Sequence, residues 1–452
     1  MRRVPLLLVV LVLVAATGVV VSLRHPTNPS DLPSGLTVSS NAESTALYCT
    51  GISSARGAPG RVTFFNTSSS SRSLSVSVVS DKGNTYQGSI ELAGHSAQSI
   101  EPSVVDKGAA GENFGVAVQI SGGGVVGEEI AGTSRTEVPC RASGVTRWYA
   151  TGFDTSVGSS AYLSVYNPTA TAAVLNASIY TAAGFFAPAS FQGVSVPAHT
   201  QTEIDLGTQV VNTANVGVGV KVLRGSLEIV GVESSAGTVS FEQGVSAASN
   251  EAWLPNVTTA HSATAQIRVA NPSDLPAEVT VDVALSPYTI TPQTLSVSPF
   301  RTGVVVVTPN PAIPAAGYAN VTVHSNVPVV TSLATGSGRS IALSSPQTPS
   351  DAFLIRDFTG LGFDAETLTN TSSRTITLTT SSFSATNPNV TALTGGDRLD
   401  GGATVRLSTL MPSVATTHDA ILITASRPTL VVSMTLPSRP KGVNVVTPLD
   451  GR

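Results

Sequence analysis

Residues 148–170 read WYATGFDTSVGSSAYLSVYNPTA, an aromatic strand opening, a Gly/Ser turn, and a second strand that stops at Asn167-Pro168. Asn followed by Pro or Thr and then small residues is turn chemistry. The same plan recurs along the chain. Opening aromatics stand at Tyr48 in YCTG, Trp148 in WYATG, Trp253 in WLPN and Phe353 in FLIRD, with spacings of 100, 105 and 100 residues. Seventeen to nineteen residues later a strand ends in Asn, as FFNTSS (Asn66), VYNPTA (Asn167), VANPSD (Asn271) and LTNTSS (Asn370). The reading assigns the four aromatics as core anchors and the four asparagines as turn positions.

Beyond each Asn an alternating apolar strand follows: Leu74, Val76 and Val78; Leu175, Ala177 and Ile179; Val279, Val281 and Val283; Ile376 and Leu378. Period-two alternation means one buried face and one wet one. Each unit then carries two Val/Ile-rich runs separated by a Gly-rich or Pro-containing tip, with Pro328 and Pro428 at two of the tips. The spacing predicts a closing hairpin. About seven short strands per hundred residues predict an all-β chain of four tandem immunoglobulin-like β-sandwich repeats, over 46–143, 144–250, 251–349 and 350–452. The alternative is a β-propeller, since about 50 residues also make one four-stranded blade.

Composition agrees with strands. Charged residues are 12% of the 452, about half the usual share, while Gly (40) and Pro (28) are plentiful. Long surface helices need more Glu, Lys and Arg than this. Without Arg2, Arg3 and Arg24 the chain carries 21 basic and 28 acidic residues, and Lys occurs only at 82, 107, 221 and 441. No basic tract exists to neutralise phosphates, so a nucleic-acid partner is not expected.

Arg2 and Arg3 precede an uncharged, Leu/Val-rich run over residues 4–23. Twenty residues span a bilayer core of about 30 Å as a helix. Residues 1–23 are therefore expected to be a cytoplasmic tip and transmembrane signal anchor, with a cleaved signal peptide as the rival reading. Residues 24–45, rich in Pro and Ser, read as a linker. Either way the bulk lies outside the cytoplasm, and the anchored reading gives a single-pass cell-membrane protein.

In an exported chain the two cysteines, Cys49 and Cys140, are expected to be bridged. Otherwise the sequence is poor in chemistry. His95 and His199 occupy matching places, where the third unit has Phe300-Arg301 and the fourth Gly402, which marks a turn rather than a ligand. The cluster Asp397-Arg398-Leu399-Asp400-Gly401-Gly402 lacks the alternating carboxylates of a calcium loop. Six N-x-[ST] sequons stand at Asn66, Asn176, Asn256, Asn320, Asn370 and Asn389. They would matter only in a eukaryotic secretory pathway, and the preference for Arg over Lys suggests a GC-rich bacterium. No catalytic residue, metal site or cofactor is assigned.

The anchor, Trp148 with Asn167-Pro168, Trp253 with Asn271-Pro272, and the Val-rich closing runs together resemble an uncharacterised actinobacterial family, domain of unknown function 5719. Units one and four depart from that pattern in having Asn-Thr, with Tyr48 or Phe353 for Trp. The resemblance implies an exported envelope protein and brings no activity or site. The expected function is that of a non-catalytic, membrane-anchored scaffold or interaction protein of the bacterial cell envelope, with envelope proteins or glycans as partners. The alternative is an array of carbohydrate-binding modules, or an accessory subunit of envelope-glycan assembly.

Overall fold

The computed structural model describes residues 36–37, 44–53, 60–83, 85–101, 113–130, 137–235, 238–258, 264–284, 288–307, 313, 318–337, 340–346, 349, 352–356, 366–384, 387–407, 420–434 and 445–450. They belong to the second of two compact units, Ser34–Arg452. The regular structure is β, with a 3-10 turn at Ala189–Phe191. Among the described residues no helix is long and apolar enough to cross a membrane. The run 4–23 expected as the anchor lies outside the described residues.

The strands form a succession of sheets, lettered A to H. Sheet A orders Ala97–Ile100, Arg61–Asn66, Val125–Ile130 and Glu137–Pro139; sheet B orders Ser44–Ser53, Asn113–Ser121, Arg72–Ser80 and Thr85–Leu92. Sheet C orders Thr200–Asp205, Ser159–Asn167, Glu228–Ser235 and Thr238–Glu242. Sheet D orders Arg147–Phe153, Val216–Arg224 and Ala173–Tyr180, which carries Phe185–Phe186 and Val194–Val196. In the third region one long strand, Tyr318–Ser337, joins two ladders. Its C-terminal half lies between Thr264–Ala270 and Ser340–Ser344 in sheet E, and its N-terminal half between Ser249–Thr258 and Ala277–Ala284 in sheet F. Sheet G is Thr404–Arg406, Glu366–Asn370 and Leu430–Met434, and sheet H contains Val445–Asp450, Ala352–Arg356, Ala420–Ala425, Ile376–Ser384 and Asn387–Leu399. The boundary expected at 250/251 falls two residues inside the strand Ser249–Thr258.

Alternation does what period two demands. Ala173–Tyr180 and Ala277–Ala284 bury every second side chain, and these join apolar clusters between paired sheets. One cluster fills A/B around Val62, Phe64, Val76 and Val118; others fill C/D around Trp148, Leu163 and Ile229, E/F around Ile267 and Val281, and G/H around Leu368 and Ile423.

The expected closing hairpins are not hairpins. Asn113–Ser121 lies in sheet B while Val125–Ile130 lies in sheet A; Val216–Arg224 and Glu228–Ser235 divide between D and C, and Ala420–Ala425 and Leu430–Met434 between H and G. The tip is an arch that crosses the core. The reason is packing: all of these runs except Leu430–Met434, which stands at the edge of sheet G, become inner strands of their own sheets, where a hairpin would crowd both into one sheet and strip the other of its centre. Pro328, which cannot donate to a ladder, sits where the long strand passes from sheet F to sheet E and is in no registered pair.

Sheets B and C, D and E, and F and G also meet, through small and polar outer faces. At B/C the Thr50 hydroxyl bonds Ser164 Oγ (3.0 Å) and Gln201 Oε1 (2.6 Å). Gly115 makes that approach possible, because a Cβ there would lie 2.5 Å from the Tyr166 ring. At D/E a Cβ on Gly217 would lie 3.0 Å from Ala270 Cβ, Ser332 Oγ donates to Thr151 O (2.7 Å), and Arg268 donates to Gly152 O. At F/G, Asn320 Nδ2 donates to Thr369 Oγ1 (2.9 Å) and Thr404 Oγ1 (3.0 Å).

Candidate functional site

The most uniform construction in the molecule is built on the four turn asparagines. Asn167 Nδ2 donates to three backbone carbonyls, Thr171 O (2.8 Å), Val196 O (3.0 Å) and Pro197 O (3.0 Å). Its Oδ1 accepts from Thr169 N (3.0 Å) and Thr169 Oγ1 (2.7 Å). Asn66 does the same with Ser70, Leu92, Ala93 and Ser68; Asn271 with Leu275, Val297, Ser298 and Ser273; Asn370 with Arg374, Leu399, Asp400 and Ser372. All four side chains are fully buried. A carboxamide offers two donors and an acceptor from one planar group, and no other side chain of that length does so. The group therefore locks the turn after its own strand to the end of a strand nearly thirty residues downstream.

The matching turn positions share one backbone conformation. His95, His199, Phe300 and Gly402 have φ of 54°, 51°, 56° and 72°, and their N–H groups donate to Ser68 O, Thr169 O, Ser273 O and Ser372 O. The left-handed φ is kept at all four positions although only Gly402 adopts it without a Cβ penalty. Asp400, from the acidic cluster, accepts at its carbonyl from Asn370 and at its carboxylate from Thr375 Oγ1 (3.0 Å), as a turn residue. Two of the sequons belong to clamps. In Asn66 and Asn370 the amide nitrogen already serves three carbonyls at zero exposure, so the folded chain offers no glycan acceptor there.

The opening aromatics do not form one column. Following the ladders from the alternating strand through its neighbour, the position facing Val118, Val220, Val323 and Ile423 is held by Leu47, Trp148, Ala252 and Phe353. Tyr48 and Trp253 are one residue further on, on the opposite face, and are half-buried. A one-residue offset exchanges the faces of a strand, so aligning on aromatic character misplaced these two anchors. Trp148 has no exposure and donates from Nε1 to Gln243 O (2.7 Å), so it presents no surface for stacking a sugar. The side chain of Phe353 lies outside the described residues.

Cys49 and Cys140 are bonded, closing a separation of 91 residues, and both are completely buried. Glu129 lies beside them, its carboxylate within 4.8 Å of both sulfurs. With the sulfurs tied to each other one oxygen ligand remains, short of the four a structural zinc needs. Arg141 follows the bridge and pairs with Glu228 (Nε–Oε1 3.4 Å), which has no exposure. Burial pushes the Glu228 carboxyl up to about 8, against the pull of Arg141. Glu129 is raised well above the usual carboxylate range by burial and further by Glu228, while the Thr50 N–H and Arg141 oppose. Glu233 and Glu242 are also pushed up to about 8 by burial; Arg268 and the Asp154 N–H oppose at Glu233, and the Ser345 hydroxyl and Gly244 N–H at Glu242. Three of these closed-off carboxyls thus share two guanidiniums and Glu242 faces neither, and a buried proton balances the charge more cheaply than an unpaired carboxylate.

A shallow groove of about 260 Å³ lies on the outer edge of sheets A and B, lined by Val76, Tyr86, Ile90, Gln98 and Ile100 among others. Its polar lining is Gln98 with Ser89, Ser99 and Glu101, and Ser99 Oγ is hydrogen-bonded to Thr63 Oγ1 (2.8 Å).

Residues 131–339 match the model of a family of unknown function, DUF5719. That span runs from the end of sheet A through sheets C, D, E and F. No curated protein matches. Among solved structures the chain is similar to Thermotoga maritima 1070 at 14% identity, over 22% of this chain and 94% of that one, with a TM-score of 0.20. It is also similar to the Anabaena sensory rhodopsin transducer at 20% identity, over 21% and 96%, TM-score 0.16. A tetra-tandem repeat from the extending region of a large adhesion protein aligns at 11% identity over 87% and 98%, TM-score 0.12.

Several structural residues escaped the sequence reading. Ser68, Thr169, Ser273 and Ser372 complete the clamps, and the signal was present: Asn-x-Ser/Thr stands at the same point of all four units. The junction glycines Gly115 and Gly217 stand inside Val-rich runs and carry no local mark of their role. Glu129, Glu228, Glu233 and Glu242 announce themselves only as acids inside apolar runs such as VVGEE.

Proposed function

We propose that the chain is a non-catalytic, membrane-anchored scaffold or interaction protein of the bacterial cell envelope, with residues 4–23 as anchor and the β-rich bulk extracytoplasmic. In this reading the sheet pairs are four tandem immunoglobulin-like sandwiches of an actinobacterial exported family. The observation that carries it is the sealed Cys49–Cys140 bond, because disulfides persist in oxidising compartments and are rare in the cytosol. Supporting it, the polar groups that most distinguish the chain are spent inward. The asparagine clamps are buried and spend their hydrogen bonds within the fold, and the raised carboxyls are closed off from solvent.

The test is made in intact cells. Protease added outside should remove the β-rich bulk, and alkylation before reduction should leave both cysteines unmodified. Proximity labelling from the C-terminal end should then enrich envelope components over a membrane-anchor control. Protection from external protease together with free thiols would overturn the location. Labelling no richer than the control would overturn the scaffold role.

A further inference from the structure

Each of the junctions B/C, D/E and F/G seats the outer face of one sheet on a matching square of residues on the next. On sheet C the square is Ser164, Tyr166, Glu228 and Val230; on sheet E it is Arg268, Ala270, Val330 and Ser332; on sheet G, Thr369 and Val431 hold the corresponding places. These residues are 0–6% exposed because the preceding sheet covers them. Sheet A has the same square, in the same register: Thr63, Phe65, Val126 and Glu128. They alternate with Val62 and Phe64, so a period of two places them on the opposite face of sheet A, although Phe65 and Val126 still pack against the A/B cluster.

No sheet precedes A among the described residues, yet the square is covered. Thr63, Phe65, Val126 and Glu128 are 2%, 3%, 1% and 1% exposed. An open outer face looks different: Ser73 and Ser75, pointing away from the core on sheet B, are exposed. Phe65 and Glu128 are both partnered. A charged side chain is almost never fully buried unless it is paired, and Glu128 is both buried and partnered. The chain supplies one sheet whose outer face no junction described above uses, sheet H. Its strand Val445–Asp450 pairs with Ala352–Arg356, touches Glu137–Pro139 at the edge of sheet A, and carries Leu36–Thr37 in parallel register against Leu449–Asp450.

We infer that sheet H closes on sheet A, so that the eight sheets of residues 34–452 form a ring whose fourth junction joins the end of the chain to its beginning. The ligand for the outer face of sheet A is thus the fourth region of the same molecule. An array of this kind has no free terminal face on which a further copy could stack.

Paired spin labels on the full chain test this, placed at Glu137→Cys and Thr447→Cys, with the native cysteines closed off in their disulfide. Sheets pack at about 10 Å, so an open row of eight separates A from H by about 70 Å, whereas a ring holds the labels within about 20 Å. The ring predicts a narrow short distance that persists on dilution with unlabelled protein. A distance near that of the open row overturns it, as does a short distance that disappears on dilution, which would assign the face to a second copy. Phe65→Asp should lengthen the 137–447 distance while leaving a control pair across B/C, Lys82→Cys with Asp205→Cys, unchanged. If Phe65→Asp shifts neither distance, sheet H is not what covers sheet A.

Discussion

The asparagine clamps and the opening aromatics began as equal landmarks, one of each per unit, and the structure separates them. Asn66, Asn167, Asn271 and Asn370 make the same five hydrogen bonds each, while the matching ladder position holds Leu47, Trp148, Ala252 or Phe353. A directional network specifies the atom at every end, so one residue type serves. Apolar filling specifies volume and face, and neighbours can redistribute volume. Identity repeated without variation therefore marks hydrogen bonding in this molecule, and drifting aromatic character marks packing.

The contrast is broken most directly by Asn167→Ala. It removes the amide from three carbonyls and from the Thr169 N–H. Although hydroxyls of Thr169 and Thr200 still reach Thr171 O and Pro197 O, the expected loss is about 2–4 kcal/mol in the surrounding sheets. Native-state hydrogen exchange across residues 159–205 reads this better than a global melt, since a multi-region chain need not unfold in one step. A loss near zero would put the clamp on a level with the aromatics. Next in size, Leu47→Ala should cost about 2–4 kcal/mol and Tyr48→Ala about 1 or less, because only Leu47 faces the core. The reverse order would restore Tyr48 as the anchor.

The buried carboxyls sharpen the same point from the other side, being polar groups without a full set of partners. Glu228, Glu233 and Glu242 hold their protons to about pH 8 when folded but release them near the ordinary 4.5 when unfolded. The folded state then binds more protons, so stability is highest below that lower value and is lost as pH rises towards about 8. The slope is at most about 1.4 kcal/mol per pH unit for each group. Thermal melts from pH 5 to 9 should show a falling midpoint, and Glu228→Gln should flatten it. The smallest effect is expected at the left-handed turn. His199→Gly or Phe300→Gly should stabilise by about 0.5–1 kcal/mol, seen as slower exchange at the clamp, because glycine carries no Cβ penalty at φ of 51° or 56°.

Strand character was legible wherever a period of two was clean, as over Ala173–Tyr180 and Ala277–Ala284. The disulfide was legible from an even pair, and the turn asparagines from their chemistry, although Asn66 and Asn370 also stand in sequons that would matter only in a eukaryotic secretory pathway. The partition of strands between sheets was not legible. A hairpin and an arch demand the same two apolar runs with a turn between them, so VQISGGGVVGEE reads equally as either. Only the choice of partners, Ser44–Ser53 and Arg72–Ser80 on one side and Arg61–Asn66 on the other, distinguishes them.

The sequence by itself determined the local terms: which segments extend, where they turn, which two sulfurs meet, and that an amide must sit at each Asn. These depend on side-chain period and on groups a few residues apart. The tertiary structure decided which face each strand shows, that Trp148 is enclosed while Trp253 is half-covered, that Gly115 is a seat for Tyr166, and that five of the described glutamates lose their solvent. Each of those turns on what a second sheet, a hundred residues away, brings against the first.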